Sequence, residues 1–270
     1  YTVRDLMLRR WVNTAAMYTK QRARTVSYLS AEYPLGPQLG NNLVALGIYE
    51  PVRAAMQSLG LDFDALLADA EQHNIKILMD LVPSHCSNEH EWFKAALLAE
   101  PGSAERSRFY FRDGKGDSGE LPPNNWEAVF GGPAWERVIE ADGTPGQWYL
   151  HLFAVEQPDL NWENQEVKDH LEDVLKFWLD RGVDGFRIDV AHGMIKEAGL
   201  PDIRKDPAAT MLGTEHKPFW DQEGVHDIYR SWRKIFDSYP GDRMAVAEAW
   251  VSPASRIARY VRPDELQNSF

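Results

Sequence analysis

Apolar residues recur at every third or fourth position of FDALLADAEQHN, residues 63–74. This spacing predicts an amphipathic helix, and Asn74 is a residue type that commonly ends one. The next segment, IKILMDLVPSH (residues 75–85), is short and mostly apolar. A run of this kind is typical of a strand that is buried on both faces of a parallel sheet.

The same succession of helix and strand continues along the chain. NQEVKDHLEDVLKFWLDRG (164–182) has a helical apolar stripe that stops at Gly182, and the strand-like GFRIDV (185–190) follows it. VHDIYRSWRKIFDSY (225–239) is again helical in pattern, MAVAEAW (244–250) resembles a strand, and PASRIARYV (253–261) begins another helix. Helices that alternate with strands in this way predict an α/β protein with a parallel sheet.

Two architectures share this pattern, a doubly wound sheet and a (β/α)8 barrel. The sequence contains neither a G-x-G-x-x-G motif nor a P-loop, which disfavours the nucleotide-binding form of the doubly wound sheet. Residues 86–162 are too long for a simple loop and too rich in aromatic residues for a disordered one. We therefore expect them to form a small, irregular inserted subdomain.

Polar residues gather where the three strands end. The first strand brings Asp80 and His85, the second Arg187 and Asp189, and the third Glu248. Taken singly, these residues also fit structural roles. An Arg–Asp pair on a strand, for example, is as often a structural buried ion pair as part of a functional site. Taken together they indicate a site, because the carboxyl ends of barrel strands face the active site. A carboxylate pair beside Arg and His is what glycoside hydrolysis requires.

Four motifs in this order resemble those of one enzyme family. DLVPSH, GFRIDVAHG and AVAEAW are similar to three successive strand motifs of the α-amylase superfamily of glycoside hydrolases. QPDLNW, residues 157–162, resembles the additional motif of its oligo-1,6-glucosidase and α-glucosidase branch. The resemblance covers about residues 63–270. It implies a partial (β/α)8 TIM barrel, about strands three to five, that hydrolyses α-glucosidic bonds of short oligosaccharides with retention.

The resemblance also assigns roles to individual residues. It implies that Asp189 is the nucleophile, that Glu248 is the general acid/base, and that Arg187 keeps Asp189 ionised. Physical chemistry favours the same roles, since an adjacent guanidinium lowers the pKa of a carboxyl group and apolar neighbours favour a protonated Glu248. The other positions implied to contact the sugar are Asp80, His85, Phe153 and Gln157. Ser84 departs from the pattern, because the family usually has Asn there.

The first 62 residues do not resemble that family. TVSYLSAEYPLGPQLGNNLVALG, residues 25–47, is similar to a segment near the N-terminus of the glycogen phosphorylases, and its pattern is mainly helical. The glycine-rich stretch and the pyridoxal-phosphate lysine site of those enzymes have no counterpart here, so phosphorylase activity is not expected. Either a natural fusion or a misassembled reading frame would explain why the two resemblances meet near residue 62.

The barrel expected from the resemblance is incomplete. Its first two strands would precede Phe63, and the strand that carries the family's third catalytic carboxylate would follow Phe270. We therefore expect the chain alone to be inactive or nearly so. The strands IKILMDLV and MAVAEAW would be left as open, apolar sheet edges that favour aggregation.

Composition limits the classes of binding partner and the cellular compartment that are expected for this protein. A net charge of −12 argues against nucleic acid or an anionic membrane as the main partner. Cys86 is the only cysteine, which fits a reducing cytoplasm. No cofactor is expected, and no metal either, because the calcium or magnesium loop of some relatives is absent. Two other functions remain open: a transglycosylating relative such as a trehalose synthase, and a non-catalytic carbohydrate-binding or interaction protein.

Overall fold

A computed structural model describes residue 20 and residues 62–140, 142–204 and 216–270 of the chain. The phosphorylase-like stretch therefore lies outside the described residues. In chain order the elements are α1 (Phe63–Gln72), β1 (Leu78–Leu81), α2 (Glu91–Leu98), α3 (Ala104–Ser107), β2 (Phe111–Arg112), β3 (Trp135–Ile139), β4 (Pro145–Leu150), α4 (Gln165–Asp180), β5 (Gly185–Ile188), α5 (Val225–Asp237), β6 (Met244–Ala247), a 3-10 turn (Ala254–Arg256), α6 (Ile257–Tyr260) and β7 (Asn268–Ser269).

The main sheet is parallel throughout and has the strand order β1-β5-β6-β7. Helices connect its successive strands, as in a fragment of a (β/α)8 barrel, so the predicted fold class is confirmed. All four residues of β5 are buried because the strand has a neighbour on each side. Three of the four residues of β1 are only half-buried, since β1 pairs with β5 alone among the described strands.

Local sequence signals explain where the helices begin and end. Asp62 accepts hydrogen bonds from the backbone N–H groups of Asp64 and Ala65 and so starts α1. Asn74 follows that helix in a left-handed conformation, with φ of 55°. Helix α4 begins after the capping residue Asn164, and Gly182 follows its end with φ of 99°. These are the boundaries that the apolar pattern predicts, to within two residues.

Strand β7 is a feature that the sequence pattern does not predict. Asn268 and Ser269 are polar, but they pair with β6, and the N–H of Phe270 donates to the carbonyl of Ala247 at 3.0 Å. The expectation that MAVAEAW would be left as an open sheet edge is therefore wrong. The backbone groups of β6 determine this pairing, and they attract a neighbouring strand whatever side chains it carries.

The predicted insertion contains a second, antiparallel sheet with the order β2-β4-β3. Its aromatic residues include the fully buried Trp126 and Trp135. The indole of Trp135 donates to Asn124 Oδ1 at 2.7 Å, and the indole of Trp126 donates to the carbonyl of Pro201 at 2.8 Å. Trp126 and Trp135 share a core cluster with Leu200 and Phe219, which follow the insertion in the chain, whereas other aromatic residues of this region pack into the core of the main sheet. The subdomain boundaries 86–162 stay a prediction.

In the part of the chain that the structure describes, no helix combines the length and the apolar character needed to cross a lipid bilayer.

Candidate functional site

The backbone fixes the polar ends of the three strands side by side. Asp80 of β1 lies opposite Arg187 of β5 in the parallel register. Just beyond the strands, the N–H of Asp189 donates to the carbonyl of Leu81 at 2.8 Å, and the N–H of Glu248 donates to the carbonyl of Ile188 at 2.9 Å. Residues that are far apart in sequence therefore meet at one edge of the sheet.

Arg187 lies at the centre of this edge and binds three carboxylates. Its Nη1 donates to Asp80 Oδ1 at 2.9 Å and to Asp189 Oδ1 at 2.6 Å, and its Nη2 donates to Glu248 Oε2 at 2.6 Å. The Arg187, Asp189 and Glu248 side chains are all at least 85% buried. Charge-assisted hydrogen bonds of this kind hold the carboxylates in fixed positions relative to one another.

Asp189 shares the guanidinium of Arg187 with two further carboxylates, those of Asp80 and Glu248. Burial raises the pKa of Asp189 to about 7, against the lowering effect of Arg187, and Glu248 and Asp80 raise it further. Arg187 lowers this pKa as expected, but burial and the neighbouring carboxylates raise it by more. A single guanidinium cannot offset both the burial and the charge of two further carboxylates.

The residue after Asp189 has a strained backbone. Val190 has φ of 45°, a left-handed conformation that is rare for a β-branched residue. This conformation turns its N–H toward Glu248 Oε2, at 3.3 Å. A Cβ added at Gly193 would lie 2.7 Å from the Val190 side chain and 2.6 Å from the Trp220 ring, so only glycine fits there. Strain of this kind is often found at functional sites, where the surrounding packing maintains it.

A second group of predicted site residues surrounds His85. Its Nδ1 lies 2.9 Å from Ser84 Oγ, and its Nε2 lies 2.9 Å from Gln157 Nε2. The Phe153 ring packs against the imidazole, with 5.1 Å between centroids. Burial lowers the pKa of His85 to about 4, so the ring is neutral at pH 7. The structure thus brings together His85, Gln157 and Phe153, which come from two separate segments of the chain.

Aromatic rings connect this second group to the Glu248 strand end. Phe153 packs against Trp220, Trp220 against His192, and His192 against Trp250, with centroid distances of 6.2, 4.7 and 6.4 Å. Trp250 is 67% exposed although it lies only two residues after Glu248. Apart from Phe153, sequence analysis missed these rings, because a high tryptophan content is equally typical of a core. The position of Trp250 within the AVAEAW motif was the available signal.

Sequence analysis also missed a buried ion pair beside the site. Lys196 Nζ lies 2.8 Å from Asp159 Oδ1, and each side chain is only 1% exposed. Lys196 also donates to the carbonyl of Gly193, while Asp159 accepts from the N–H of Leu152. The pair therefore joins the QPDLNW motif to the loop that follows β5. Nothing in the local pattern around Lys196 distinguishes it from a surface lysine.

Within residues 62–140, 142–204 and 216–270, no three His, Cys, Asp or Glu side chains are grouped as they would be around a metal ion. The expectations of no metal and no cofactor stay predictions.

Comparison with known proteins relates this chain to a single family. Residues 60–270 match the family described as "Alpha amylase, catalytic domain". The chain is 38% identical over 212 residues to trehalose-6-phosphate hydrolase of Bacillus subtilis (strain 168), which covers 77% of this chain and 35% of that protein. It is 38% identical over 205 residues to oligo-1,6-glucosidase of Heyndrickxia coagulans, covering 75% of this chain and 35% of that protein.

Solved structures show the same relationship. The crystal structure of Bacillus licheniformis trehalose-6-phosphate hydrolase matches with a TM-score of 0.67 and 36% sequence identity, over 77% of this chain and 35% of that one. The chain thus spans about a third of the length of the relatives that it matches.

Proposed function

The chain belongs to the α-amylase family, and from this premise we propose that it supplies the acid and nucleophile of a retaining α-glucosidase. The substrates are α-glucosidic bonds of short oligosaccharides. The observation that carries the proposal is that Asp189 and Glu248 bind the two terminal nitrogens of the same guanidinium, that of Arg187.

The shared guanidinium supports retention, because it holds the two carboxyl groups next to each other. Retaining glycosidases have their carboxyl groups about 5–5.5 Å apart, whereas inverting enzymes leave about 6.5–9.5 Å to admit a water molecule between them. Asp189 Oδ1 and Glu248 Oε2 each lie 2.6 Å from a terminal nitrogen of Arg187. This close placement favours direct attack by a carboxylate over attack by a water molecule held between the groups.

The mechanism that we propose uses one carboxyl group in each role. Asp189 attacks the anomeric carbon as a carboxylate, and Glu248 gives its proton to the leaving oxygen. Glu248 then takes a proton from the water that releases the sugar from Asp189. A pKa of about 7 leaves a substantial fraction of Asp189 ionised at neutral pH, and Arg187 stabilises its negative charge before the attack.

The other predicted residues are proposed to bind the sugar. Asp80 and Arg187 lie at the strand ends beside the nucleophile, and His85, Phe153 and Gln157 form the second group of polar and aromatic contacts. The single cysteine and the net charge of −12 support a cytoplasmic protein with no nucleic-acid or membrane partner.

A transglycosylating enzyme is the second candidate. The same two carboxylates serve both reactions, and the exposed rings of Trp250 and Phe130 offer flat surfaces on which an acceptor sugar can stack. One of the similar solved structures is a trehalulose synthase, with a TM-score of 0.66 and 32% identity. The presence of both Asp189 and Glu248 disfavours a purely carbohydrate-binding protein.

Proton NMR of the reaction tests the proposal directly. The protein that contains this chain is incubated with isomaltose, maltose or 4-nitrophenyl α-glucoside, and the anomeric signal of the first product is recorded before mutarotation. We expect α-glucose from hydrolysis. A first product in the β configuration contradicts the proposed mechanism, and new α-linked disaccharide in place of glucose identifies the transglycosylating alternative.

A further inference from the structure

Two side chains in contact with His85 determine which ring nitrogen carries the proton. Gln157 Nε2 lies 2.9 Å from His85 Nε2, and Ser84 Oγ lies 2.9 Å from His85 Nδ1. A neutral imidazole has one N–H donor and one acceptor nitrogen, and the hydrogen bonds around it decide which is which.

The orientation of the Gln157 amide resolves the assignment. Its Oε1 accepts a hydrogen bond from the backbone N–H of Ala154 at 3.1 Å, so its NH₂ group faces His85. The reverse orientation would place the NH₂ group against the N–H of Ala154, where two donors would face each other. Gln157 is therefore a donor toward His85, and His85 Nε2 must be the acceptor.

The proton of His85 is then on Nδ1, where Ser84 Oγ accepts it. A hydroxyl group accepts as readily as it donates, so Ser84 satisfies Nδ1–H without a conflict. Ser84 is 1% exposed and His85 is 8% exposed, so water does not compete strongly for these contacts. The ring stays neutral because burial holds its pKa at about 4, with Asp159 and Lys196 acting in opposite directions.

We propose that Ser84 and Gln157 are positioning residues that hold His85 as the Nδ1–H tautomer, with the Nε2 lone pair directed to accept a hydrogen bond from a sugar hydroxyl. The sugar part of this inference rests on the proposed function. The tautomer does not, because it follows from the contacts of Ser84, Gln157 and Ala154 alone.

A consequence for the substrate follows from the direction of this hydrogen bond. A hydroxyl that binds His85 must donate its proton, and it takes the place of the Gln157 amide, which is the present donor to the same lone pair. A fluorine atom at the same position cannot donate. The site therefore distinguishes a hydroxyl from a fluorine of similar size at one position of the sugar.

Nitrogen-15 NMR of the histidine rings tests the tautomer without any need for turnover. Two-bond proton–nitrogen correlation spectra of the ¹⁵N-histidine-labelled protein report whether each ring nitrogen is protonated, and the signals of His85 are identified by their loss in His85→Gln. We expect a protonated Nδ1 and an unprotonated Nε2 near pH 7. An Nε2–H tautomer in the unmodified protein overturns the proposal.

Gln157→Glu replaces the amide that donates to His85 Nε2 by a carboxylate of nearly the same shape, which can only accept from that nitrogen. A carboxylate can accept from both Ala154 and His85, so we expect the Nε2 signal to move to the protonated range. Ser84→Ala removes the hydroxyl that accepts from Nδ1–H of His85. We expect it to move the Nε2 signal part of the way to the protonated range. Gln165→Glu is the matched control at an exposed position of α4, where the amide contacts Asp169, and it should leave the His85 signals unchanged. Unchanged His85 signals in Gln157→Glu contradict the proposal.

Fluorinated substrates test the sugar part separately. 4-Nitrophenyl α-glucosides that carry fluorine in place of one hydroxyl at a time are compared in the parent protein and in His85→Gln. We expect one position at which fluorine lowers kcat/KM about tenfold or more in the parent, as one lost hydrogen bond implies, and much less in His85→Gln. If no position behaves in this way, His85 does not accept from the sugar. Absence of all turnover instead rejects the proposed function, and the NMR result still decides the tautomer.

Discussion

Asp189 and Glu248 are joined through Arg187, whose two terminal nitrogens donate to one carboxylate each at 2.6 Å. The same guanidinium also donates to Asp80, at 2.9 Å, so three carboxylates meet on one cation. Burial and these neighbouring carboxylates raise the pKa of Asp189 to about 7, although Arg187 acts to lower it. The proposed roles of the two carboxyl groups therefore depend on how this shared cation places them.

Replacement of Glu248 by Gln should affect substrates according to their leaving groups. 4-Nitrophenolate leaves without protonation, so we expect kcat/KM for the glycosylation of Asp189 by 4-nitrophenyl α-glucoside to fall little. For isomaltose or maltose, a loss of about 10²–10⁴-fold is expected, because a sugar leaving group needs the proton. Glu136→Gln, at an exposed position of strand β3, is the control. Equal losses for both kinds of substrate would exclude Glu248 as the acid.

Stability should depend on the protonation of Asp189. Its pKa is about 7 in the folded chain and near 4 in an unfolded one, so the folded state holds the proton more tightly. The contribution of the Asp189 carboxyl group to the free energy of unfolding is therefore fully present below about pH 4, and it is lost as the pH rises through about 7.

Urea denaturation at about pH 5 and pH 8 measures this effect. The free energy of unfolding should decrease over that interval in the parent protein and decrease less in Asp189→Asn. Asp173→Asn, at an exposed position of α4, should behave as the parent. A decrease of the same size in Asp189→Asn would show that the carboxyl group does not take up a proton on folding.

The buried pair of Lys196 and Asp159 should be far more important for stability than an exposed pair. Lys196→Met leaves the Asp159 carboxylate buried without its partner, which typically costs about 3–5 kcal/mol. Lys176→Met breaks an exposed contact with Asp173 and should cost about 0–1 kcal/mol. Urea denaturation compares the two. The double variant Lys196→Met/Asp159→Leu should be more stable than Lys196→Met, and a less stable double variant would contradict this explanation.

Gly193→Ala should disturb the site through Trp220. The new methyl group would lie 2.6 Å from that ring and 2.7 Å from Val190, so one of them must move. Overpacking of this kind costs about 1–3 kcal/mol. Trp220→Leu in the same chain should restore part of the stability by making room, as measured by thermal unfolding. If the second substitution restores nothing, the contact with Trp220 is not the cause.

The sequence predicts those features that arise from local patterns or from the geometry of parallel strands. Helix α4 follows from its apolar stripe and its ends from Asn164 and Gly182. Asp80, Arg187, Asp189 and Glu248 could be grouped because successive strand ends meet in a parallel sheet, whatever the separation in sequence.

Features that depend on long-range packing could not be predicted. The direction of the Asp189 pKa shift depends on how many carboxylates share Arg187, and the sequence does not show that number. The partners of Lys196 and of β7 lie on distant segments, with no local signal in either. The tautomer of His85 depends on the orientation of the Gln157 amide, which the backbone of Ala154 fixes.

Covalent trapping shows directly which carboxyl group attacks the sugar. 5-Fluoro-α-D-glucosyl fluoride carries a leaving group that needs no acid, and its fluorine slows release of the sugar from the enzyme. Peptide mass spectrometry should therefore find one fluoroglucosyl group on Asp189, formed also in Glu248→Gln and absent in Asp189→Asn. A label on any other residue, or labelling that persists in Asp189→Asn, would contradict the assignment of Asp189 as the nucleophile.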